Sequence, residues 1–380
     1  MKMSEPKKRI AFFVQDLFFQ GAQYVTALLT RGFVEKGYQV DVVALAYHQM
    51  LLGRGLKPFA VPKEVNWVQL KAMRARQSIG ELRRYMMTSG ADYLIPMAPP
   101  LLKAVRIACV GLSERPKIAY VEHGLAGSAC DGSRLKPPRF PSWRWFSARW
   151  NLGCVARVLT VSDRGRTDFA QMNPFFDPAD IRTVYNPVVD DVFYRKIAEP
   201  TRCDWLINKK CFTFVTAGVF EDYKGQDYLL SAMKILRDQG ERIRVVLFGK
   251  GSYEQRFRKY IAENRLEDHV MIAGYTNNLP AELKAADAFV LPSIMESFGV
   301  VLVEALASGI PVVSADAPYG PREILADGRF GTLVPVRDAR ALAAAMLDVS
   351  RHPRRSIDDL SWRRFTLQAT ISRYENALWR

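Results

Sequence analysis

Short apolar runs alternate with longer amphipathic stretches along this chain. The first half opens with the apolar run Ile10–Val14, continues with a helical pattern over Gln23–Glu35 that ends before Gly37, and returns to an apolar run at Gln39–Leu45. Apolar runs of this length between turn residues predict buried strands. A strand-helix-strand order predicts a parallel sheet that binds ligands at the carboxyl ends of its strands.

The same alternation continues to near residue 340. Further strands are predicted at Asp92–Met97, Lys117–Val121, Val158–Val161 and Ile181–Tyr185, and then at Phe212–Thr216, Ile243–Phe248, Val270–Ala273 and Asp287–Leu291. Residues 188–210 lack periodicity and are predicted to contain a linker. An amphipathic, arginine-rich helix is predicted at about Ile357–Leu378. The fold class indicated is α/β with two doubly wound domains.

Length and composition support this division. A chain of 380 residues exceeds the usual size of a single core. It has no run of eighteen apolar residues and no apolar stretch of signal-peptide type at its start, so a cytoplasmic protein is expected. The five cysteines show no CxxC spacing, and we expect reduced structural thiols and no metal site.

The positive charge is concentrated in the first half of the chain. Residues 1–200 contain 29 Lys and Arg against 17 Asp and Glu, a net +12, whereas residues 201–380 contain 25 against 22, a net +3. This excess predicts an anionic partner for the first half, either a membrane surface or a nucleic acid. The charge is dispersed and no nucleic-acid reader motif is visible, so no nucleic-acid partner is expected.

The segment Arg134–Trp150 differs from the rest of the chain. It combines basic residues with three tryptophans and two phenylalanines and contains no acid. This composition is typical of a segment that lies on anionic lipid. Its prolines allow a helix only over Ser142–Leu152. The alternative is a basic loop whose aromatic side chains pack on the domain.

The most informative stretch is Leu291–Glu323. After a predicted strand, Glu296 lies in a loop, a helix begins near Gly299, and Glu304 lies about one and a half turns inside that helix. The two carboxylates therefore cannot form a catalytic pair on one face. The amino end of such a helix suits a phosphate or a sugar hydroxyl. Taken singly, each glutamate is better explained as a loop acid or a solvated helix residue.

Glycine loops follow the earlier strands of the second half. They lie at Ala217-Gly218, at Tyr223-Lys224-Gly225, at Gly249-Lys250-Gly251 and at Gly274-Tyr275. One GxG is weak evidence for nucleotide binding. Since the carboxyl ends of parallel strands share one edge, we expect these loops to share one crevice with Glu296.

Two residues of the first half lie at similar strand ends. Gly21 follows the first strand, where it permits a close approach of ligand to backbone or serves turn geometry alone. His123 follows the strand Lys117–Val121 and precedes Gly124. A histidine at this place is positioned for a site, although a structural histidine is the simpler explanation.

The E-x7-E arrangement from Glu296 to Glu304, within PSIMESFG and EALASGIPVV, resembles retaining GT-B glycosyltransferases of the large family that includes phosphatidylinositol mannosyltransferases and sucrose synthases. The resemblance is strongest from about Phe212 to Pro335. It implies two Rossmann-like domains that face a cleft, with an acceptor domain at 1–190, a nucleotide-sugar domain at 191–355, and a helix at 356–380 that returns to the first domain.

The resemblance also implies roles for individual residues. Glu296 and the amides after it would hold the donor sugar, and Glu304 would bind the ribose hydroxyls. Lys224 would bind the diphosphate. His123 would contact the donor sugar and would not act as a nucleophile. The catalytic residues implied are His123, Lys224 and Glu296. The donor-binding residues implied are Gly21, Gly218, Lys224, Gly249, Gly274, Tyr275, Glu296, Ser297, Phe298, Gly299, Val300 and Glu304. No metal is expected, because no DxD-like acidic motif is placed to hold Mg²⁺ on the diphosphate. No cofactor is expected either, because the nucleotide-sugar, first of all a UDP-sugar, is a co-substrate.

The sequence departs from the family at one position. The family has Gly-Arg a few residues before Lys-Gly, whereas this chain has Gly218-Val219. Lys224 or Arg322 would then carry more of the diphosphate charge. The expected activity is the transfer of a hexosyl or N-acetylhexosaminyl group, with retention of configuration, to a glycan or lipid-linked acceptor. The pathway expected is lipopolysaccharide, glycolipid or polysaccharide synthesis. One alternative for the location is an anionic inner-membrane surface. A catalytically silent scaffold subunit is the rival interpretation.

Overall fold

The structure, a computed structural model, describes residues 8–18, 21–124, 143–352 and 358–380. They form two compact units. The first contains the described residues up to Pro187 together with Leu367–Arg380, and the second is Val188–Thr366. The domain boundaries drawn from the sequence lie at 190 and 355, and those of the units lie at 187 and 366.

The first unit is built on a parallel sheet, which has seven strands within the described residues, in the order β3-β2-β1-β4-β5-β6-β7. The strands are β1 Arg9–Val14, β2 Gln39–Ala44, β3 Asn66–Gln69, β4 Tyr93–Pro96, β5 Lys117–Glu122, β6 Val155–Thr160 and β7 Ile181–Thr183. The helices are α1 Gly21–Glu35, α2 Ala46–Gly53, α3 Ile79–Thr88, α4 Pro99–Ala108, α5 Trp143–Leu152 and α6 Asp163–Met172, with the last helix of the chain joining them.

The second unit repeats this plan with a six-stranded parallel sheet in its described residues, in the order β10-β9-β8-β11-β12-β13. Its strands are β8 Phe212–Ala217, β9 Ile243–Phe248, β10 Val270–Gly274, β11 Ala288–Leu291, β12 Val312–Ala315 and β13 Thr332–Val334. Its helices are α7 Asp191–Ile197, α8 Asp204–Ile207, α9 Gln226–Asp238, α10 Glu254–Glu263, α11 Leu279–Ala285, α12 Val300–Ala307, α13 Gly320–Ile324 and α14 Ala339–Arg351. The last helix, α15 Leu367–Trp379, belongs to the first unit.

Both sheets are covered on two faces, which explains their apolar strands. Successive residues Phe12 and Phe13 of β1 are both fully buried, although their side chains point to opposite faces. Polar side chains begin several helices: Ser162 accepts from the Gly165 amide (3.1 Å) and Asp338 from the Ala341 amide (2.9 Å). The predicted α/β class with two doubly wound sheets is therefore confirmed.

Two local predictions are wrong. Residues 188–210 were predicted to lack periodicity and to contain the linker, but two short helices, α7 and α8, lie within them. The tail helix begins at Leu367 and not near Ile357, because 3₁₀ turns occupy Asp359–Ser361 and Arg363–Phe365 and Thr366 is extended. Phe365 is fully buried in the second unit, so tertiary packing interrupts the helical pattern.

Helix α15 packs against α1 at a glycine. A Cβ atom at Gly32 would lie 2.5 Å from Ile371 Cγ1 and 2.8 Å from Leu367 Cδ1. The ring of Phe33 meets that of Tyr374 edge-on at 6.0 Å, and the Tyr38 hydroxyl donates to Glu375 at 2.8 Å. Gly32 therefore sets how closely the two helices approach.

We expect Gly32→Ala to lower the free energy of unfolding by about 1–2 kcal/mol, because overpacking exceeds the gain in helix propensity. Gly80→Ala is the matched control in α3, where a Cβ atom has no neighbour within 4 Å. This control should be neutral or slightly stabilising. Urea unfolding measures both variants, and equal behaviour of the two would contradict a close approach at Gly32.

Candidate functional site

The glycine loops of the second unit lie side by side at the carboxyl ends of β8, β9 and β10. The Gly218 amide donates to the Phe248 carbonyl at 3.0 Å, and the Gly249 amide donates to the Gly274 carbonyl at 2.8 Å. The Phe220 amide donates to the Lys250 carbonyl at 3.0 Å. The structure therefore brings Gly218, Gly249 and Gly274 together, and the Tyr275 side chain beside them is 66% exposed.

The Lys224 turn docks on the loop between β11 and α12. The Ile294 and Met295 amides both donate to the Tyr223 carbonyl, at 2.9 and 3.2 Å. Gly225 has φ 67°, and a Cβ atom there would clash with the Pro292 carbonyl oxygen. These contacts place the Lys224 side chain over the loop that contains Glu296.

Lys224 and Glu296 form an ion pair. Lys224 Nζ donates to Glu296 Oε2 at 2.6 Å, and the two side chains are only 19% and 12% exposed. Ser293 Oγ donates to the same carboxylate oxygen at 3.4 Å. The sequence suggested separate ligand contacts for these residues, whereas the structure pairs them with each other. Each charge therefore orients the other in a partly desolvated site.

The turn from Glu296 to Gly299 is held from behind by a second segment. The Gly320 amide donates to the Glu296 carbonyl at 3.3 Å, and a Cβ atom at Gly320 would clash with the Phe298 carbonyl oxygen. Tyr319, buried and with φ 78°, pairs with Glu296 as a β-bridge. A non-glycine residue in this conformation is strained, so the surrounding contacts must hold it in place.

Helix α12 begins as predicted, after Gly299 and at Val300. Ser297 lies in the turn, and the Phe298 ring is buried 5.4 Å from the Phe365 ring. Phe298 can therefore reach a ligand only through its backbone, which agrees with a site made of amides.

Glu304 lies in the second turn of α12 in a different environment from Glu296. Burial raises the pKa of Glu304 to about 7, and the charge of Lys196 acts in the opposite direction. The sequence interpretation missed Lys196, because α7 falls in the stretch that was predicted to be a linker. The two glutamates thus have distinct partners, as their different elements suggested.

Other cations at this edge differ in their availability. Arg322 Nε donates to Asp316 Oδ1 at 3.0 Å and Nη1 lies 3.3 Å from Asp327 Oδ1. Its guanidinium is therefore already engaged, which weakens the case for Arg322 as the substitute for the missing arginine. Val219, which stands where that arginine would be, is 46% exposed. Lys250 is exposed on the Gly249 loop.

In the first unit, Gly21 is the first residue of α1. It is exposed, and a Cβ atom there would have no neighbour within 4 Å. Packing among the described residues therefore does not require glycine at this position.

His123 follows β5 at the same edge of that sheet. Burial lowers the pKa of His123 to about 4, and its Nε2 atom has no hydrogen-bond partner among the described residues. The neighbouring Glu122 carboxylate accepts from the Gly124 amide at 2.7 Å, and burial raises its pKa. A neutral imidazole whose buried Nε2 atom has no such partner can still form one hydrogen bond with a hydroxyl group.

Two features are absent from the described residues. These residues contain no group of three His, Cys, Asp or Glu side chains placed to hold a metal ion. No helix among them is both long and apolar enough to span a bilayer.

Two protein-family models match the chain, one in each half. The model described as Glycosyltransferase Family 4 matches residues 19–192, and the model described as Glycosyl transferases group 1 matches residues 198–359. The predicted GT-B resemblance is confirmed by these two matches.

Individual relatives are similar over part of their length. The putative colanic acid biosynthesis glycosyltransferase WcaL of Escherichia coli is 39% identical over 279 residues, which cover 68% of this chain and 61% of that protein. The phosphatidyl-myo-inositol mannosyltransferase of Mycobacterium leprae is 35% identical over 135 residues, which cover 35% of each chain. The chain thus spans about a third to three fifths of the curated relatives it matches.

Solved structures show the same fold. Anabaena HepE in complex with UDP and glucose has a TM-score of 0.74 at 18% identity, covering 97% of this chain and 98% of that one. The apo form of the lipopolysaccharide outer core galactosyltransferase WaaB has a TM-score of 0.69 at 18% identity, covering 98% and 99%. The chain has the GT-B fold.

The raised pKa of Glu304 predicts a pH-dependent cost to folding. Its pKa is about 7 in the folded protein, against 4.5 for a free side chain, so the folded state binds the extra proton and stability falls as pH rises from about 4.5 to 7. Glu304→Gln should therefore stabilise the protein by about 1–3 kcal/mol at pH 8 and by little at pH 4. Urea unfolding at both pH values tests this. Glu263→Gln, at an exposed position of α10, controls for the loss of one charge, and the same gain in both variants would contradict the assignment.

Proposed function

We propose that this protein transfers a sugar from a nucleoside-diphosphate donor to a glycan or lipid-linked acceptor with retention of configuration. The proposal starts from the two family models that match its two halves, Glycosyltransferase Family 4 and Glycosyl transferases group 1. The donor is proposed to be a UDP-sugar and the group transferred a hexosyl or N-acetylhexosaminyl residue. The observation that carries the proposal is the partly buried Lys224–Glu296 pair beside the glycine loops of β8, β9 and β10.

The pair suits a donor because it offers both kinds of contact that a nucleotide-sugar needs. When a donor enters, the diphosphate would replace Glu296 as the partner of Lys224, and Glu296 would accept hydrogen bonds from sugar hydroxyls. The two side chains are already placed by the Tyr223 and Gly320 contacts, so little reorganisation is needed. Departure of the diphosphate would then be assisted mainly by electrostatics.

The remaining residues divide between the two ends of the donor. Glu304, ionised above a pH of about 7, would accept hydrogen bonds from the ribose hydroxyls. The loops at Gly218, Gly249 and Gly274–Tyr275 would lie along the nucleotide, and Ser297, Phe298, Gly299 and Val300 would contribute backbone amides. His123, neutral at physiological pH, would contact the sugar through its open Nε2 atom, and Gly21 would admit the phosphates or acceptor. No metal and no cofactor are proposed.

The relatives suggest a polysaccharide or lipopolysaccharide pathway. WcaL is described as acting in colanic acid biosynthesis, AmsK of Erwinia amylovora in amylovoran biosynthesis, and WaaB in the lipopolysaccharide outer core. We place the protein in the cytoplasm, on an inner-membrane lipid surface where such acceptors are assembled. The net charge of +12 in residues 1–200 supports this location.

The rival proposal is a catalytically silent subunit that scaffolds glycan synthesis, and Val219 at the arginine position favours it. Release of the matching nucleoside diphosphate (UDP, GDP or ADP) by the isolated protein from UDP-glucose, UDP-N-acetylglucosamine, GDP-mannose and ADP-glucose separates the two proposals and selects the donor. Failure to turn over or bind any of these nucleotide-sugars would support the silent subunit.

Lys224→Ala is expected to lower kcat about a hundredfold, because the loss of one cation from a desolvated site costs about 3 kcal/mol of transition-state stabilisation. Lys250→Ala, which removes an exposed cation from the neighbouring loop, should stay within a few-fold of the parent. Adding Val219→Arg to Lys224→Ala should restore part of the rate. Thermal melting checks that each variant folds, and near-normal turnover by Lys224→Ala would show that the diphosphate is held elsewhere.

Glu304→Ala should raise the donor KM far more than it lowers kcat, since a ribose contact is equally strong in the ground and transition states. Calorimetry with UDP reports the binding change without requiring an acceptor. Unchanged affinity for UDP would remove Glu304 from the donor site.

A further inference from the structure

Helix α5 has two different faces. Trp145 lies on one face, with its ring 5.5 Å from the Phe175 ring, and is partly buried. Trp143, Phe146 and Trp150 follow one another at helical spacing on the other face and are 84%, 51% and 52% exposed. The helix thus combines a partly buried tryptophan, as the packed interpretation expects, with exposed aromatic side chains, as the interfacial interpretation expects, and the Trp145 and Phe146 rings meet edge-on at 5.2 Å. Residues 134–142 of the segment lie outside the described residues.

A concave site of about 480 Å³ lies between α5, the carboxyl end of α4 and the residues after α6. Two guanidinium groups line it. The Arg106 guanidinium lies 4.2 Å from the centre of the Trp150 ring, and its Nε donates to the Trp150 carbonyl at 2.8 Å. The Arg149 guanidinium lies 5.5 Å from the Trp145 ring and 6.0 Å from the Phe175 ring. Aromatic stacking therefore fixes both cations at the wall of the site.

These cations are not neutralised by the protein that is described. Neither α4 nor α5 contains an acidic residue. Within the described parts of the chain, neither Arg106 nor Arg149 pairs with a carboxylate. The site is therefore complementary to an anion that brings acceptor oxygens for two guanidiniums.

The surroundings of the site are apolar and exposed. Ile107 and Val110, next to Arg106, are 46% and 49% exposed. Of the exposed aromatic side chains of α5, Phe146 and Trp150 line the site itself. Aromatic and aliphatic side chains beside arginines are what the boundary between lipid headgroups and acyl chains accommodates.

The site lies away from the edge of the sheet that the donor proposal uses. Helix α4 ends before β5, α5 ends just before β6, and Phe175 precedes β7, so the site lies at the amino ends of these strands. Gly21 and His123 lie at the carboxyl ends. An occupant of this site therefore leaves the opposite edge open.

We propose that this α4–α5 site binds the phosphate headgroups of an anionic phospholipid bilayer, while the exposed face of α5 enters the interfacial layer. The inference deepens the proposed use of a lipid surface and is independent of the transfer reaction. It commits to anionic lipid because the two stacked guanidiniums supply the charge complementarity and the aromatic face supplies the apolar contact. A nucleic acid would use the charge but would leave Ile107 and Val110 without a function.

The test is sedimentation of the full chain with vesicles of phosphatidylcholine alone or of phosphatidylcholine with 30% phosphatidylglycerol, where the composition is an experimental choice of roughly physiological charge. The parent should bind the anionic vesicles and lose binding in 0.5 M NaCl, where the screening length is only about 4 Å. Arg149→Gln should weaken binding about fivefold, the effect of one cation near such a surface. Trp143→Ser with Phe146→Ser should weaken it at least as much, since both side chains are exposed and their loss spares the core.

Arg340→Gln, an exposed arginine of α14 in the second unit, is the matched control and should bind as the parent does. Quenching of tryptophan fluorescence by brominated lipid should occur in the parent and fall in Trp143→Phe with Trp150→Phe. The proposal would be overturned if the Arg149→Gln protein bound the vesicles as well as the parent, or if Arg149→Gln and Arg340→Gln lost the same amount of binding. Binding to neutral vesicles alone would also overturn it. So would a dimer in sedimentation velocity that the Trp143→Ser with Phe146→Ser variant abolishes, because the face would then contact a second copy.

UDP release from a nucleotide-sugar in solution is measured on the same variants. Lipid binding without any turnover would leave the lipid site intact and count against the transfer proposal. Turnover without lipid binding would support the transfer proposal and overturn the lipid site. The two failures can therefore be told apart.

Discussion

The second unit depends on close contact between backbone segments that leaves no room for a side chain. Gly225 lies against the Pro292 carbonyl and Gly320 against the Phe298 carbonyl, on either side of the turn that contains Glu296. Larger residues would force these segments apart, because a Cβ atom would overlap a carbonyl oxygen at each place. The turn is therefore clamped between the loop after β8 and the start of α13, and its carboxylate is positioned before any ligand arrives.

This clamp gives the two glutamates different electrostatic environments. Glu296 faces Lys224 across 2.6 Å, whereas Glu304 is desolvated on α12 and has a pKa of about 7. A paired carboxylate and a half-buried one with a raised pKa respond differently to pH. The same short stretch of chain thus holds two carboxylates in different electrostatic environments at two separate points.

The first unit uses the two edges of its sheet differently. The carboxyl ends of the strands hold Gly21, which is exposed, and His123, whose pKa burial lowers to about 4. The amino ends hold the stacked guanidiniums of Arg106 and Arg149 beside an exposed aromatic face. Parallel topology separates these edges by the length of the strands, so binding at one need not obstruct the other.

Local pattern was enough to determine much of this protein. The sequence alone indicated two doubly wound α/β domains, the helix Val300–Ala307, and the loop and helix positions of Glu296 and Glu304, because periodicity and turn residues act over a few positions. Tertiary structure decided the rest. The Lys224–Glu296 pair joins residues 72 positions apart, and it exists only because β8 and β11 are neighbours in the sheet. Burial and long-range packing, which no local pattern encodes, likewise decide three other features. They are the ion pair of Arg322 with Asp316, the raised pKa of Glu304 that the charge of Lys196 partly offsets, and the two faces of α5.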